Sequence, residues 1–238
     1  MTTADSRPGG PRLVELVGPA GAGKSTAFRT LLARDMAIVG RPTLRHREYA
    51  GIVTTSLLAT LATLARSRAI DKVDRREQVR MMIYLQAMPT ILAGSVGDGA
   101  IVFDQGPLFF LTRPSLMDER LATWRSRILD TWARLLDVVV LLDAPDGLLS
   151  ERINTREESH ALKGADGRSA LEVLRASRQV YECAIDELSA RSGGPLILRF
   201  DTSTRSADEI ADAVLATIES DARSGPNARV EPAPRSAQ

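Results

Sequence analysis

The residues best suited to chemistry lie together near the start of the chain, in Gly18-Pro19-Ala20-Gly21-Ala22-Gly23-Lys24-Ser25-Thr26. Through Ser25 this stretch matches G-x-x-x-x-G-K-[ST], a pattern in which each residue type serves a polyphosphate. Glycines let the backbone wrap closely, so successive N–H groups converge on phosphate oxygens. A helix starting at the lysine adds the positive end of its dipole. Lys24 then reaches the β and γ phosphates, and the Ser25 hydroxyl suits Mg²⁺. The spacing predicts a nucleoside triphosphate cradle over Gly18–Thr26. Lysine occurs elsewhere only at Lys72 and Lys163, which makes one inside a glycine loop more conspicuous.

The cradle leaves the reaction open among phosphotransferase, ATPase motor and GTPase. No Asn-Lys-x-Asp segment is present to read guanine. The candidate strands end in Asp104-Gln105 and Asp143-Ala144 rather than in the Asp-Glu pair of ATPase motors. Small size, with a helical stretch inserted between the early strands, favours a kinase.

The elements that position the cradle follow from periodicity. Leu13–Val17 is an apolar run broken by one glutamate and closed by glycine, which predicts a buried strand, and Lys24–Arg34 follows as a helix. A weak strand is expected within Met36–Leu44, with Pro42 against it. Helices are expected over Ile52–Arg68 and Asp74–Ala93, the second capped by Asp74. Gly97-Asp98-Gly99 turns into a strand at Ala100–Asp104. A helix over Arg120–Leu136 aligns Leu121, Trp124, Ile128, Trp132 and Leu135, a stripe that reads as core. The continuous apolar run Val138–Leu142 predicts a central parallel strand. Asp146 is expected to cap a helix running toward Thr155, and 164–167 to form a loop. A helix over Ala170–Arg191 and a strand over Leu196–Phe200 come next. Ser206-Ala207-Asp208-Glu209 has the pattern of a capping box opening the last helix. Such alternation predicts an α/β fold with a parallel sheet and right-handed crossovers.

Length and charge narrow the rest. The 238 residues suffice for one α/β domain, expected over 12–221, with Pro-, Gly-, Ser- and Arg-rich tails at 1–11 and 222–238 expected to be disordered. A formal net charge of +1 offers no field for nucleic acid or an anionic membrane. The lone Cys183 excludes an internal disulfide and falls in a helical pattern with Val180, Ala184 and Leu188, where packing is its expected role. The run Ile52–Ala65 reads as too short and too threonine-rich to span a bilayer. A cytoplasmic protein without membrane or nucleic-acid partners is expected, and a homodimer stays open.

Taken together, Gly18–Thr26, Ile101-Val102-Phe103-Asp104, Val140-Leu141-Leu142-Asp143-Ala144-Pro145 and Glu151-Arg152-Ile153 resemble the nucleoside and nucleotide kinase group of P-loop proteins. Thymidylate kinases and deoxynucleoside kinases are the similar members, matched in motif order over roughly residues 12–220. Arg152-x-x-x-Arg156-Glu157-Glu158 is similar to an arginine-rich lid, expected over about 152–168. The resemblance implies a five-stranded parallel sheet, Mg²⁺ and ATP, and transfer of the γ-phosphate to a small acceptor such as a nucleoside, nucleotide, sugar or metabolite. It implies that Lys24, Arg152 and Arg156 supply cations, and that Asp104 stands near metal or acceptor, with Ser25 and Asp104 as the metal-side pair. Glu48, in Arg45-His46-Arg47-Glu48-Tyr49, falls where deoxynucleoside kinases place a carboxylate that activates the acceptor hydroxyl. Gln105 replaces the arginine usual after the acidic residue, and no further arginine follows Arg156 closely. These departures point to a specialised acceptor, with Arg113 a substitute for the missing arginine. A regulatory or assembly ATPase, and a toxin- or antibiotic-type kinase, stay open as alternatives.

Overall fold

Alternation along β1 (Arg12–Val17) sends Leu13, Glu15 and Val17 to one side of a sheet and Val14 and Leu16 to the other, and all five are buried. The computed structural model describes residues 10–35, 38–40, 44, 47–69, 74–95, 99–155 and 167–224, with backbone alone at 38, 167 and 221–224. Arg156, most of the expected lid, most of both expected tails and the 97–98 turn lie outside the described residues.

The remaining strands are β2 (Ile38–Gly40), β3 (Ala100–Phe103), β4 (Val138–Asp143) and β5 (Leu196–Asp201). They form a parallel five-stranded sheet in the order β2-β3-β1-β4-β5. Helices α1 (Lys24–Arg34), α2 (Ala50–Ser67), α3 (Arg75–Ala93), α4 (Pro107–Leu111), α5 (Ala122–Leu135), α6 (Asp146–Thr155), α7 (Gly167–Ser189) and α8 (Ala207–Ser224) flank it. One core joins Leu13, Val17, Ile101, Phe103, Val139 and Leu141 to α3, α4, α5 and the C-terminal half of α7. The other joins Val14, Leu16, Val102, Val140 and Leu142 to α1, α6 and α8. Both faces of β4 are thereby covered, which is why it reads as unbroken Val and Leu. The chain leaves β1 toward β2 on one side and later crosses from β3 to β4 on the other, so the strand order reverses at β1. Ligand crevices in open α/β sheets form at the carboxyl end of that point.

The predicted stripe on α5 is core, with Leu121, Trp124, Ile128 and Trp132 buried and the Trp132 indole N–H donating to the Leu85 carbonyl oxygen at 3.1 Å. The weak strand expected within Met36–Leu44 is β2, and the strand expected over Leu196–Phe200 is β5, a sheet edge with Leu196 54% exposed. Several local expectations need correction. Asp74 occupies the N-cap position of α3 without a side-chain cap bond. Asp146 is itself the first residue of α6, and its carboxylate turns to Arg175 and Arg178 of α7. Cys183 is exposed, because the buried stripe of α7 runs through Tyr181, Ala184, Ile185 and Leu188 instead.

α2 buries Ser56 and Thr60 together with Leu64 and leaves Leu58 and Leu61 exposed. The Thr60 hydroxyl accepts there from the Gln86 amide N–H of α3 at 2.6 Å. With the preceding turn, Arg47–Ser67 is 21 residues long and contains an 18-residue window of mean hydropathy 1.2, long and apolar enough by length and composition to cross a membrane, so the helix extends beyond the 52–65 run read from sequence.

Candidate functional site

The loop between β1 and α1 closes on itself through its glycines. A Cβ on Gly18 would stand 2.0 Å from the Leu142 carbonyl oxygen, and one on Gly21 would stand 2.7 Å from that of Leu149. Gly21 and Gly23 also adopt φ of +83° and +85°, a region that side chains disfavour. The loop can therefore lie directly on the backbone of β4 and α6. Gly23 caps α1, its carbonyl accepting from the N–H groups of Thr26 and Ala27 at 3.0 Å each. Pro19, Ala20 and Ala22 complete the turn, with Pro19 and Ala22 buried.

Lys24, the first residue of α1, folds back so that Nζ donates to the carbonyl oxygens of Gly18 and Pro19 at 2.7 Å each. The ammonium is thus held over the mouth of the loop. Ser25 and Thr26 stand exposed on the first turn of α1. Asp104 follows β3, one strand away from β1, where the register Glu15↔Phe103 sets it beside Leu16. Continued one residue past the strand, the pleat assigns Asp104 to the face covered by α1. Neighbouring strands lie about 4.8 Å apart, so a carboxylate there is close to the start of the phosphate loop.

On the opposite flank, Arg152 of α6 spans two loops. Its guanidinium donates to the Thr202 hydroxyl at 2.8 Å, the Thr202 carbonyl oxygen at 2.9 Å and, more weakly, the Gly21 carbonyl oxygen at 3.4 Å. A cleft of about 420 Å³ opens beside it, bounded by Gly21, Gly23 and Thr26, by Arg152 and Thr155, and by Thr202, Arg205 and Ser206. Ala27 and Ile210 contribute apolar wall. The Ser206–Glu209 capping box forms as predicted and fixes one rim, with the Ser206 N–H donating to Glu209 at 2.8 Å and the Glu209 N–H to Ser206 at 3.2 Å. The Ser206 N–H and hydroxyl, both donating to the Glu209 carboxylate, hold that carboxyl below the usual range. At the end of β4, Asp143 is engaged by Arg178 at 2.5 and 3.1 Å. The hydrogen bonds of Arg175 and Arg178 to Asp146 likewise hold that carboxyl low.

Of the residues singled out in the sequence, the structure brings Gly18–Thr26 and Arg152 together at one end of the sheet, with Asp104 on the adjacent strand. Glu48 is exposed on a 3₁₀ turn at Arg47–Tyr49, before α2, and hydrogen-bonds with the Tyr49 hydroxyl, whose pKa burial and the Glu48 charge both raise. No hydrogen bond or ion pair joins Glu48 to the loop among the described residues. Arg113 is exposed, its guanidinium 4.2 Å above the Phe109 ring.

Two features were not assigned from sequence. Thr202 and Arg205 line the cleft with Ser206, and nothing in the local pattern of those two marks them. Glu15 is fully buried, and its carboxyl accepts from the N–H of Leu108 and of Phe109 at 3.0 Å each. Burial pushes that carboxyl up to about 8, the backbone donors opposing it only in part. Its signal was in view: a single charge inside an apolar strand, on the inward alternation.

No protein-family model and no curated protein sequence matches this chain. Among solved structures it is similar to a shikimate kinase from Acinetobacter baumannii in complex with shikimate, at 17% identity and a TM-score of 0.45, covering 89% of this chain and 94% of that one. It is also similar to a deoxyadenosine kinase from M. mycoides with products bound, at 17% identity and a TM-score of 0.47, covering 87% of this chain and 98% of that one.

Proposed function

We propose that the chain is an ATP-dependent phosphotransferase acting on a small molecule that carries a hydroxyl or phosphate group. The observation that carries this reading is the order of groups along the sheet edge. The phosphate loop stands at the central strand, the 420 Å³ cleft with Arg152 lies toward β5, and Asp104 lies toward β2. A triphosphate in the loop would extend its nucleoside into the cleft, whose volume is in the range of small-molecule sites. Its γ-phosphate would then face the side of Asp104.

Phosphoryl transfer demands positioning and charge stabilisation more than covalent chemistry from the protein. Lys24 supplies a cation over the loop. Arg152 anchors the cleft to the loop, and Arg156 follows it four residues later in sequence. Asp104 is suited to orient the acceptor hydroxyl or to hold metal. The hydroxyl of Ser25 and the carboxylate of Asp104 are hard oxygen donors that fit Mg²⁺, which when bound neutralises phosphate charge. Glu48 is a second carboxylate on the acceptor side. One domain over 12–221, a lid over about 152–168, and a cytoplasmic protein without membrane or nucleic-acid partners complete the proposal.

Incubation with ATP, Mg²⁺ and a panel of nucleosides, nucleotides, sugars and hydroxylated metabolites tests it. ADP release that depends on an acceptor supports the reading. Turnover indifferent to every acceptor, or binding without turnover, overturns it in favour of a regulatory ATPase.

A further inference from the structure

Among the described residues no acidic or basic side chain other than Glu15 is fully buried, and it lies in the middle of β1, three residues before Gly18. Its partners all belong to the segment that follows Asp104. Gly106, Leu108 and Phe109 each direct a backbone N–H at its carboxyl. The residue between them is Pro107, which has no N–H to offer. One side chain therefore takes up every amide available at the start of α4. The approach is close, since a Cβ on Gly106 would stand 2.7 Å from the Glu15 carboxyl carbon. A glycine is required there for the backbone to rest on the carboxyl.

The far end of the same segment is also fastened. The Tyr181 hydroxyl of α7, buried and near the Glu15 carboxyl, hydrogen-bonds with the Thr112 side chain. Tyr181 and Arg113 are the other ionisable groups facing this site. The segment 104–113 is thus referenced to β1, the strand that carries the phosphate loop, rather than to its own strand alone.

We propose that Glu15 is a positioning residue: its carboxyl holds α4 against β1 and so sets Asp104, Gln105 and Arg113 at a fixed place beside the phosphate loop. What the segment faces rests on the phosphotransferase reading; how it is held does not. Glu15 touches no reacting atom and acts only through α4.

The test uses the full chain and the variants Glu15→Gln, which keeps the shape but loses one acceptor, and Glu15→Asp, which withdraws the carboxyl by one methylene. Hydrogen exchange of peptides covering 104–113 is expected to quicken roughly tenfold, as loss of one buried hydrogen bond implies. Peptides from β4 and α1 are expected to stay unchanged, and affinity for a fluorescent ATP analogue to stay within about twofold. With the best acceptor of the panel, the acceptor KM should rise about tenfold while the KM for ATP stays put. Unaltered exchange at 104–113 in both variants overturns the proposal, as does loosening spread evenly over the sheet or a parallel loss of nucleotide affinity. Should Glu15→Gln fail to fold, the Glu15→Asp chain is judged by the same readouts. Should the panel show no turnover, the phosphotransferase reading falls, and the exchange result still decides how α4 is held.

Discussion

Two loops leave the carboxyl ends of neighbouring strands, 18–26 after β1 and 104–113 after β3, and they are held by opposite means. The first is held by backbone. Its glycines lie directly on the carbonyls of Leu142 and Leu149, and Lys24 bonds to carbonyls five and six residues before it. The second is held by a side chain distant in sequence, the Leu108 N–H bonding to Glu15 across 93 positions. The difference matters for specificity. A loop built from its own backbone can bind one invariant group, a phosphate chain. A loop held by one buried carboxyl leaves its outward side chains free to differ, as Gln105 does here from the expected arginine.

The contrast can be tested by breaking each side in turn. Lys24→Ala should lower the turnover rate by about 10³-fold, as removal of a charge aimed at a transferring group does. Unaltered circular dichroism would show that the fold persists, and near-normal rates would defeat the kinase reading. Asp104→Asn, on the second loop, should lower kcat on the order of 10²-fold and shift the Mg²⁺ dependence. Unchanged kinetics would make Asp104 a strand-end residue only.

A titration separates the two loops further. Glu15 keeps its proton in the folded chain up to about pH 8, whereas the unfolded chain releases it near the ordinary 4.5. Between those values the folded state binds more protons, so its contribution to stability falls as pH rises and levels off above about 8. Relative to Glu15→Gln, wild-type stability should fall by about 1.4 kcal/mol per pH unit inside that window, read by urea unfolding at each pH. A flat difference would place the carboxyl in a more polar setting than its burial implies.

Smaller effects are expected on the donor side. Arg152→Ala should raise the KM for ATP about tenfold, because it unlinks the cleft from the loop at the cost of one charged hydrogen-bond set. Ser206→Ala removes only the capping box and should cost about 1 kcal/mol, a fall in Tm of about 2–4 °C.

Legibility followed the same division. The cradle was legible in the sequence because its glycines and Lys24 form one consecutive pattern, although the backbone of Leu142 and Leu149 on which it rests is distant in the chain, and the α5 stripe was legible because a helix repeats its burial every turn. The buried hydroxyls of α2 were not, since Thr60 finds its partner in Gln86 of another helix. Cys183 was misplaced for a related reason: its neighbours fit a helical stripe, but which stripe meets the sheet depends on the docking of α7.

By itself, then, the sequence determined a parallel α/β sheet, its phosphate loop and the capping box at Ser206, all properties of short-range backbone geometry and periodicity. Tertiary structure alone decided that Arg152 reaches Thr202, that Thr202 and Arg205 line a cleft, and that Glu15 holds α4. Each of those joins residues roughly 50 or more positions apart in the chain, and chain spacing carries no record of which distant groups the packed sheet brings within hydrogen-bond reach.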